Sequence, residues 1–225
     1  DHAAGIPYLI SQKALTSQEP PVFHMPESMV QPLENIMQLW QGLEGHHYQY
    51  QFSAAQAGQR FELDAKAVVQ PFETVHRVPS LGYTLIARKK KLKKEMVGRT
   101  GRELSHLRSQ GVDVEYWDET SEISFTGDTQ IEVLEKNPEL SQTRVLIIEV
   151  TYIDSTRPVE RARQWGHVHL DELLDWVPWL QCERILLIHL SARHRISDVE
   201  EVLNSRLSPS DRERFEVFPR DGKRD

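Results

Sequence analysis

Two runs, Ser121-Glu-Ile123-Ser-Phe125-Thr-Gly127-Asp128-Thr129 and Val145-Leu-Ile-Ile-Glu149-Val-Thr151, decide the fold. In the first, Ile123 and Phe125 alternate with polar neighbours, the period of a half-buried strand, and the Gly127-Asp128 turn ends it. Asp128 is thereby left at a strand tip, where the sheet fixes its backbone while its oxygens stay available to a ligand. The second run is a continuous apolar strand that ends on Glu149, a charge that is costly to bury without a partner. Two acids are thus expected at two neighbouring strand ends.

A lone Gly-Asp is ordinary turn chemistry, so the histidines around it carry the weight. His76 lies in Thr74-Val-His76-Arg-Val-Pro79-Ser80-Leu-Gly82-Tyr83 and His189 in Leu186-Leu-Ile-His189-Leu-Ser191-Ala-Arg193, both at the edges of apolar runs, and Asp1-His2 opens the chain. These five side chains offer the carboxylate and imidazole donors that zinc or manganese accepts, with no thiolate among them. The adjacent His46 and His47 follow Gly45 in a polar stretch and are read as solvated.

Outward from that centre, strands and helices alternate after residue 120, the signature of an α/β layer architecture. Helices are expected over Ala3 to Ala14, from Pro26 onward with Val30, Leu33, Met37 and Trp40 on one face, over Glu103 to Gln110, over Pro158 to Gln164, and after His167-Val-His169. Ser197-Asp-Val-Glu200 reads as a capping box for a last helix. Tyr48, Tyr50 and Phe52 alternate as in a strand, and Phe61 to Glu73, Leu81 to Ala87, Arg184 to Leu190 and Phe215 to Phe218 complete the strand set.

A chain of 225 residues supports one sizeable core, and we expect a single domain over 1–219 with a disordered tail over 220–225. The single cysteine, Cys182, excludes an internal disulfide framework and agrees with a reducing compartment, for which we expect the cytoplasm. No run approaches eighteen apolar residues, so no membrane span is expected. The formal net charge of −7 argues against a nucleic-acid partner until its distribution is considered. Between Arg88 and Arg108 nine Lys or Arg face two acids, leaving that window at +7 and the remainder at −14. A compact basic patch on an acidic body steers a polyanion to one face. Lys89 to Lys94 is too highly charged to pack and is expected to be a solvated basic segment.

Asp1-His2-Ala-Ala-Gly5-Ile6-Pro7 resembles the second half of a His-x-His-x-Asp-His motif, the signature of the metallo-β-lactamase superfamily. Together with Ser80-Leu-Gly82-Tyr83, Phe125-Thr-Gly-Asp128-Thr, Glu149-Val-Thr151, Gly166-His167 and His189-Leu-Ser-Ala-Arg193 in that order, it makes the chain similar to the tRNase Z family, and most to the short form of plants and cyanobacteria. The resemblance implies a four-layer αβ/βα sandwich with metal at the top of its two sheets. The family's motif has two further histidines before Asp1, so the chain is expected to be N-terminally truncated, to carry an unpaired sheet edge, and to be inactive alone.

The resemblance also implies site roles. Asp128 would bridge two zinc ions, with manganese an alternative; His76 would serve one ion, and Asp1, His2 and His189 the other. Asp1, His167 and Glu149 would form the catalytic set, His167 donating a proton to the leaving ribose oxygen with Glu149 bonded to its ring. His169 is the weaker of the two histidines in its segment. Arg88, Lys89, Lys90, Lys91, Lys93 and Lys94 would lie on a substrate-binding arm at about 88–115 that contacts precursor tRNA, and a homodimer is implied. Two departures, Glu149-Val-Thr151 for Glu-Ala-Thr or Glu-Ser-Thr and His194 for the tyrosine of Ser-Ala-Arg-Tyr, leave the charged groups intact. Two other readings stay open: a hydrolase of small esters or phosphodiesters on the same fold, and a non-catalytic RNA-binding relative.

Overall fold

A computed structural model describes residues 2–16, 19–153, 157–191 and 193–218, with His2 as backbone only. The expected tail at 220–225 lies outside the described residues.

The chain opens with a 3-10 turn, His2–Gly5, running into α1 (Ile6–Thr16). Next come β1 (Val22–Met25), α2 (Glu27–Glu44) and β2 (Gln51–Ala54). β1 and β2 pair in parallel, and Ile10, Met25, Leu33, Met37 and Phe52 form a small core between the two helices and this pair. The helical spacing of Leu33 and Met37 puts both on the buried face of α2. Tyr48 and Tyr50, expected in a strand, precede it: their phenols donate to Glu44 and Glu34 of α2, which draws this stretch to the helix instead.

The large sheet begins with β3 (Phe61–Asp64), β4 (Ala67–Glu73) and β5 (Leu81–Leu92). After α3 (Gly101–Ser109), β6 (Glu115–Phe125) returns antiparallel along β5. Then α4 (Val133–Lys136), β7 (Val145–Glu149), α5 (Val159–Trp165), α6 (Leu170–Trp176), β8 (Arg184–Ile188), α7 (Ile196–Arg206), α8 (Pro209–Arg212) and β9 (Phe215–Val217) complete the molecule. Sheet order is β3-β4-β5-β6-β7-β8-β9, antiparallel through β6 and parallel from β6 to β9. The expected α/β layering is borne out.

The main core lies around β7 and β8, where Leu146, Ile148, Ile185 and Leu187 are fully buried beneath Leu170 and Leu173 of α6 and Val199 and Leu203 of α7. Each such side chain contributes about 1.5–3 kcal/mol. The expected cap at Ser197 is displaced: α7 starts at Ile196, and it is the Asp198 carboxylate that accepts the Arg195 backbone N–H, at 3.3 Å.

The largest difference from the sequence reading is the basic segment. β5 does not stop at Ala87 but runs through the lysines to Leu92, and β6 starts at Glu115 rather than Ser121. The lysines stay exposed, as expected, but become strand residues because the returning strand neutralises them. Asp118 pairs with Lys91 at 2.7 Å and with Lys89 at 3.8 Å, and the Trp117 ring lies under Arg88 (4.7 Å) and Lys90 (5.2 Å). At the tip, Met96, Leu104 and Val114 form a separate small core, and Thr100 and Glu103 cap α3 with a reciprocal box. Nine cations face seven acids over 88–122, so this ribbon is far closer to neutral than the first half of it suggested.

One register shift interrupts the ribbon. Leu85 pairs with Ile123 but Ile86 with Ser121, leaving Glu122 as the surplus residue of a bulge. Arg144, just before β7, bonds both the Glu122 carboxylate and the Ser121 carbonyl, which holds the bulge.

Candidate metal centre

Because β6, β7 and β8 are parallel, their C-terminal ends share one edge of the sheet, and chemistry is carried by what the chain does on leaving them. The turn after β6 holds Asp128, β7 ends on Glu149, and β8 is followed by His189. β5 runs antiparallel to β6 with Tyr83 opposite Phe125, so the 74–80 connection that carries His76 comes to the same edge. Gly82 makes that approach possible: a Cβ there would lie 2.2 Å from the Phe72 ring and 2.9 Å from the Phe125 carbonyl oxygen.

Donor atoms of Asp128, His167 and His189 all lie within 4.8 Å of one another. The His189 Nε2 is 3.6 Å from Asp128 Oδ2, and the His167 and His189 rings stack at 5.2 Å. His76 lies beside His167, with ring centroids 5.5 Å apart. His189 reaches this position through a left-handed backbone, φ 57°, uncommon for a residue with a side chain and a form of strain that gathers at functional sites.

Glu149 is the hub. It is fully buried, and its carboxylate accepts four hydrogen bonds: from the Thr129 N–H (3.0 Å), His167 Nδ1 (2.7 Å), the Thr151 N–H (3.2 Å) and the Thr151 hydroxyl (2.7 Å). A buried carboxylate is tolerable only when so satisfied. The expected bond from Glu149 to the His167 ring is therefore present. Burial of the His167 ring alone would lower its pKa, but the bond to Glu149, the charge of Glu149 and that of Asp128 outweigh it, and the pKa is raised.

Thr151 fixes a tautomer. Its one proton goes to Glu149, so its oxygen accepts from His189 Nδ1 at 2.9 Å, which leaves the His189 Nε2 lone pair on the Asp128 side. His76 likewise turns Nδ1 to the Gly166 carbonyl at 2.8 Å. Thr129 completes the frame, its hydroxyl accepting the Val75 N–H at 3.0 Å while its own N–H goes to Glu149. Two imidazoles and a carboxylate, oriented by a buried acid and two threonines, are the nitrogen and oxygen set that suits zinc or manganese, so the residues fit a divalent metal.

Of the expected ligands, the structure gathers His76, Asp128 and His189 at one edge; Asp1 lies outside the described residues, as does the side chain of His2. It also draws in His167. His169 is remote in role: buried, it caps α6 by accepting the Asp171 N–H at 3.1 Å. The threonines were not singled out in advance, although Thr151 lies two residues beyond Glu149, the strand spacing that puts both on one side. Arg88, expected on the substrate face, is only 10% exposed and bonds Glu62, which makes it a strut of the ribbon.

Gly166, at φ 82°, ends α5 and hands the chain to His167; a Cβ there would come within 2.5 Å of His76 Nδ1. Gly166→Ala is therefore expected to cost about 1 kcal/mol or more from backbone strain and to displace His76. A thermal melt combined with metal titration checks it: a lower melting point with weakened metal binding is expected, and unchanged metal affinity contradicts it.

No family model matches the chain. It is 30% identical over 207 residues to tRNase Z TRZ1 of Arabidopsis thaliana, covering 91% of this chain and 74% of that protein. It is 28% identical over 205 residues to the chloroplastic tRNase Z TRZ2 of the same plant, covering 90% and 58%. Among solved structures, the metallo-β-lactamase fold protein YhfI of Bacillus subtilis superposes with a TM-score of 0.61 at 13% identity, over 96% of this chain and 69% of that one. The short form of human tRNase Z superposes with a TM-score of 0.52 at 17% identity, over 84% and 68%. At such identities the superpositions carry the fold alone.

Proposed function

The chain belongs to the tRNase Z family, endoribonucleases of the metallo-β-lactamase fold, and on that premise we propose that it hydrolyses precursor tRNA to remove the 3′ trailer. The observation that supports this most is the constellation at the sheet edge: a metal-competent donor cluster sharing one histidine with a buried acid. A bound metal supplies positive charge that activates water and neutralises the phosphoryl group. Asp128 and His189 would hold it, with His76 beside them, and Asp1 and His2 belong to the same proposal. His167, held on Glu149, donates a proton to the leaving ribose oxygen, so the tRNA keeps a 3′-hydroxyl. Zinc, two ions per complete site, with manganese an alternative, and assembly as a homodimer are part of this reading. The substrate strand is given a cleft of about 900 Å³ beside His76, lined by Thr74, Arg77 and Ser80 on one side and Glu27, Ser28 and Gln56 on the other.

Full-length protein incubated with a 3′-extended precursor tRNA tests the proposal. A tRNA fragment ending in a 3′-hydroxyl and a trailer with a 5′-phosphate are expected, both abolished by chelation. An intact precursor at every metal tried rejects it.

The ribbon enters as the substrate arm through Lys89, Lys90, Lys91, Lys93 and Lys94. Replacing Lys90, Lys93 and Lys94 by Gln is expected to raise the KM for precursor tRNA about tenfold and to leave hydrolysis of a small phosphodiester unchanged. Equal losses on both substrates would make the arm structural.

A further inference from the structure

A second cationic feature lies away from the ribbon, in a pocket of about 540 Å³ lined by Tyr152, Arg157, Pro158, Arg161, Trp165 and Arg193. It adjoins the site, since the Tyr152 ring centroid is 6.4 Å from that of His167 and Trp165 lies two residues before it in sequence. None of its three arginines is ion-paired with a described residue, in contrast to Arg88, Arg108, Arg144, Arg163 and Arg184. They are instead set against rings and amides. Arg157 lies over Tyr152 at 6.0 Å, and Arg161 lies over Trp165 at 5.2 Å while donating to the Gln164 amide oxygen at 2.9 Å. Arg77 also lies over the Trp165 ring, at 4.8 Å.

This arrangement selects its ligand. A guanidinium set over a ring still has N–H donors to offer an anion. The aromatic faces are already engaged by arginine, so the pocket is built for an oxyanion more than for a stacked base. In a chain of net charge −7, three arginines with no ion pair to a described residue line one cavity beside the histidine read as the proton donor.

We propose that Arg157, Arg161 and Arg193 form a phosphate pocket that takes the backbone phosphate next to the cleaved bond on the tRNA side. The assignment rests on the tRNA-processing reading above: His167 serves the leaving ribose oxygen, so the pocket beside it falls to the nucleotide that keeps that ribose. Contacts of this kind position the strand without reading its bases.

The product supplies the probe. A minihelix ending at the cleavage site, with its 3′-hydroxyl and no trailer, contains the phosphate in question and cannot be cut. Its binding to metal-loaded full-length protein is followed by fluorescence anisotropy over a salt series, with a single neutral methylphosphonate placed at each of the last linkages in turn. Arg157→Gln/Arg161→Gln is expected to bind about tenfold more weakly, with the salt slope reduced by about 0.7 to 1 and an unchanged melting point. In wild type a methylphosphonate at the last linkage weakens binding by a similar factor, and in the variant it has no further effect. Wild-type affinity and slope in the variant, or methylphosphonate losses that persist in full at every linkage, would overturn the pocket. Failure of wild-type protein to cut any precursor tRNA would instead overturn the proposed function, so the two are separable.

Discussion

Asp128→Asn is expected to reduce precursor cleavage by about 10³-fold while moving the melting point by only a few degrees. The amide keeps the size of the carboxylate and one of its oxygens but removes the charge that draws His167 and His189 and would draw a divalent ion. The turn itself survives, because it is held by other atoms: the Thr126 N–H bonds the Ile147 carbonyl at 3.0 Å and the Gln130 N–H bonds the Val75 carbonyl at 2.7 Å. Fold and site are thus separable at this position. Metal content by elemental analysis, read beside the melt, decides the matter: a variant with wild-type metal content and near-wild-type cleavage would remove Asp128 from the centre.

Glu149 is the opposite case, because there structure and chemistry share one side chain. Glu149→Gln keeps one acceptor oxygen, for either the Thr129 and His167 side or the Thr151 side, puts an NH2 donor on the other, and withdraws the charge facing His167. Cleavage near pH 8 is expected to fall about 10²-fold, the scale of lost general-acid assistance. The sign of the pH effect follows from the raised His167 pKa. Without the carboxylate the ring loses its proton at lower pH, so the alkaline limb of kcat moves down the pH axis. Glu149→Ala goes further, leaving His167 Nδ1 and two backbone N–H groups in a fully buried space without their acceptor, at a cost of about 3 to 5 kcal/mol. An alkaline limb that stays in place in Glu149→Gln would show that His167 does not titrate in catalysis.

Much of this edge was legible in the sequence because it depends on strand ends. Apolar runs mark β6, β7 and β8, and a polar residue at the end of each run marks the edge; Asp128, Glu149 and His189 could be picked out in this way and His76 at the edge of its own run, while their roles came from the family resemblance. The ribbon was not legible, because its lysines acquire strand character only from the acids and the tryptophan of a partner strand more than twenty residues later. Hydropathy read along one strand cannot register such neutralisation. The arginine pocket was hidden for a related reason: its members come from 152, 157–165 and 193, and no periodicity links them. Thr129 and Thr151 escaped because a hydroxyl says nothing in sequence about which acceptor will claim its proton.

The surplus Glu122 has an effect out of proportion to its size. Side chains of a strand alternate between faces, so a slip of one position exchanges every pairing beyond it. Past the bulge, Lys90 lies opposite Trp117 and Arg88 opposite Glu119; in uninterrupted register those partners would have been Thr120 for Arg88 and Asp118 for Lys90. A single inserted residue near the base therefore sets the phase of the whole outer limb, assigning the indole to one surface and Asp118 to its reverse.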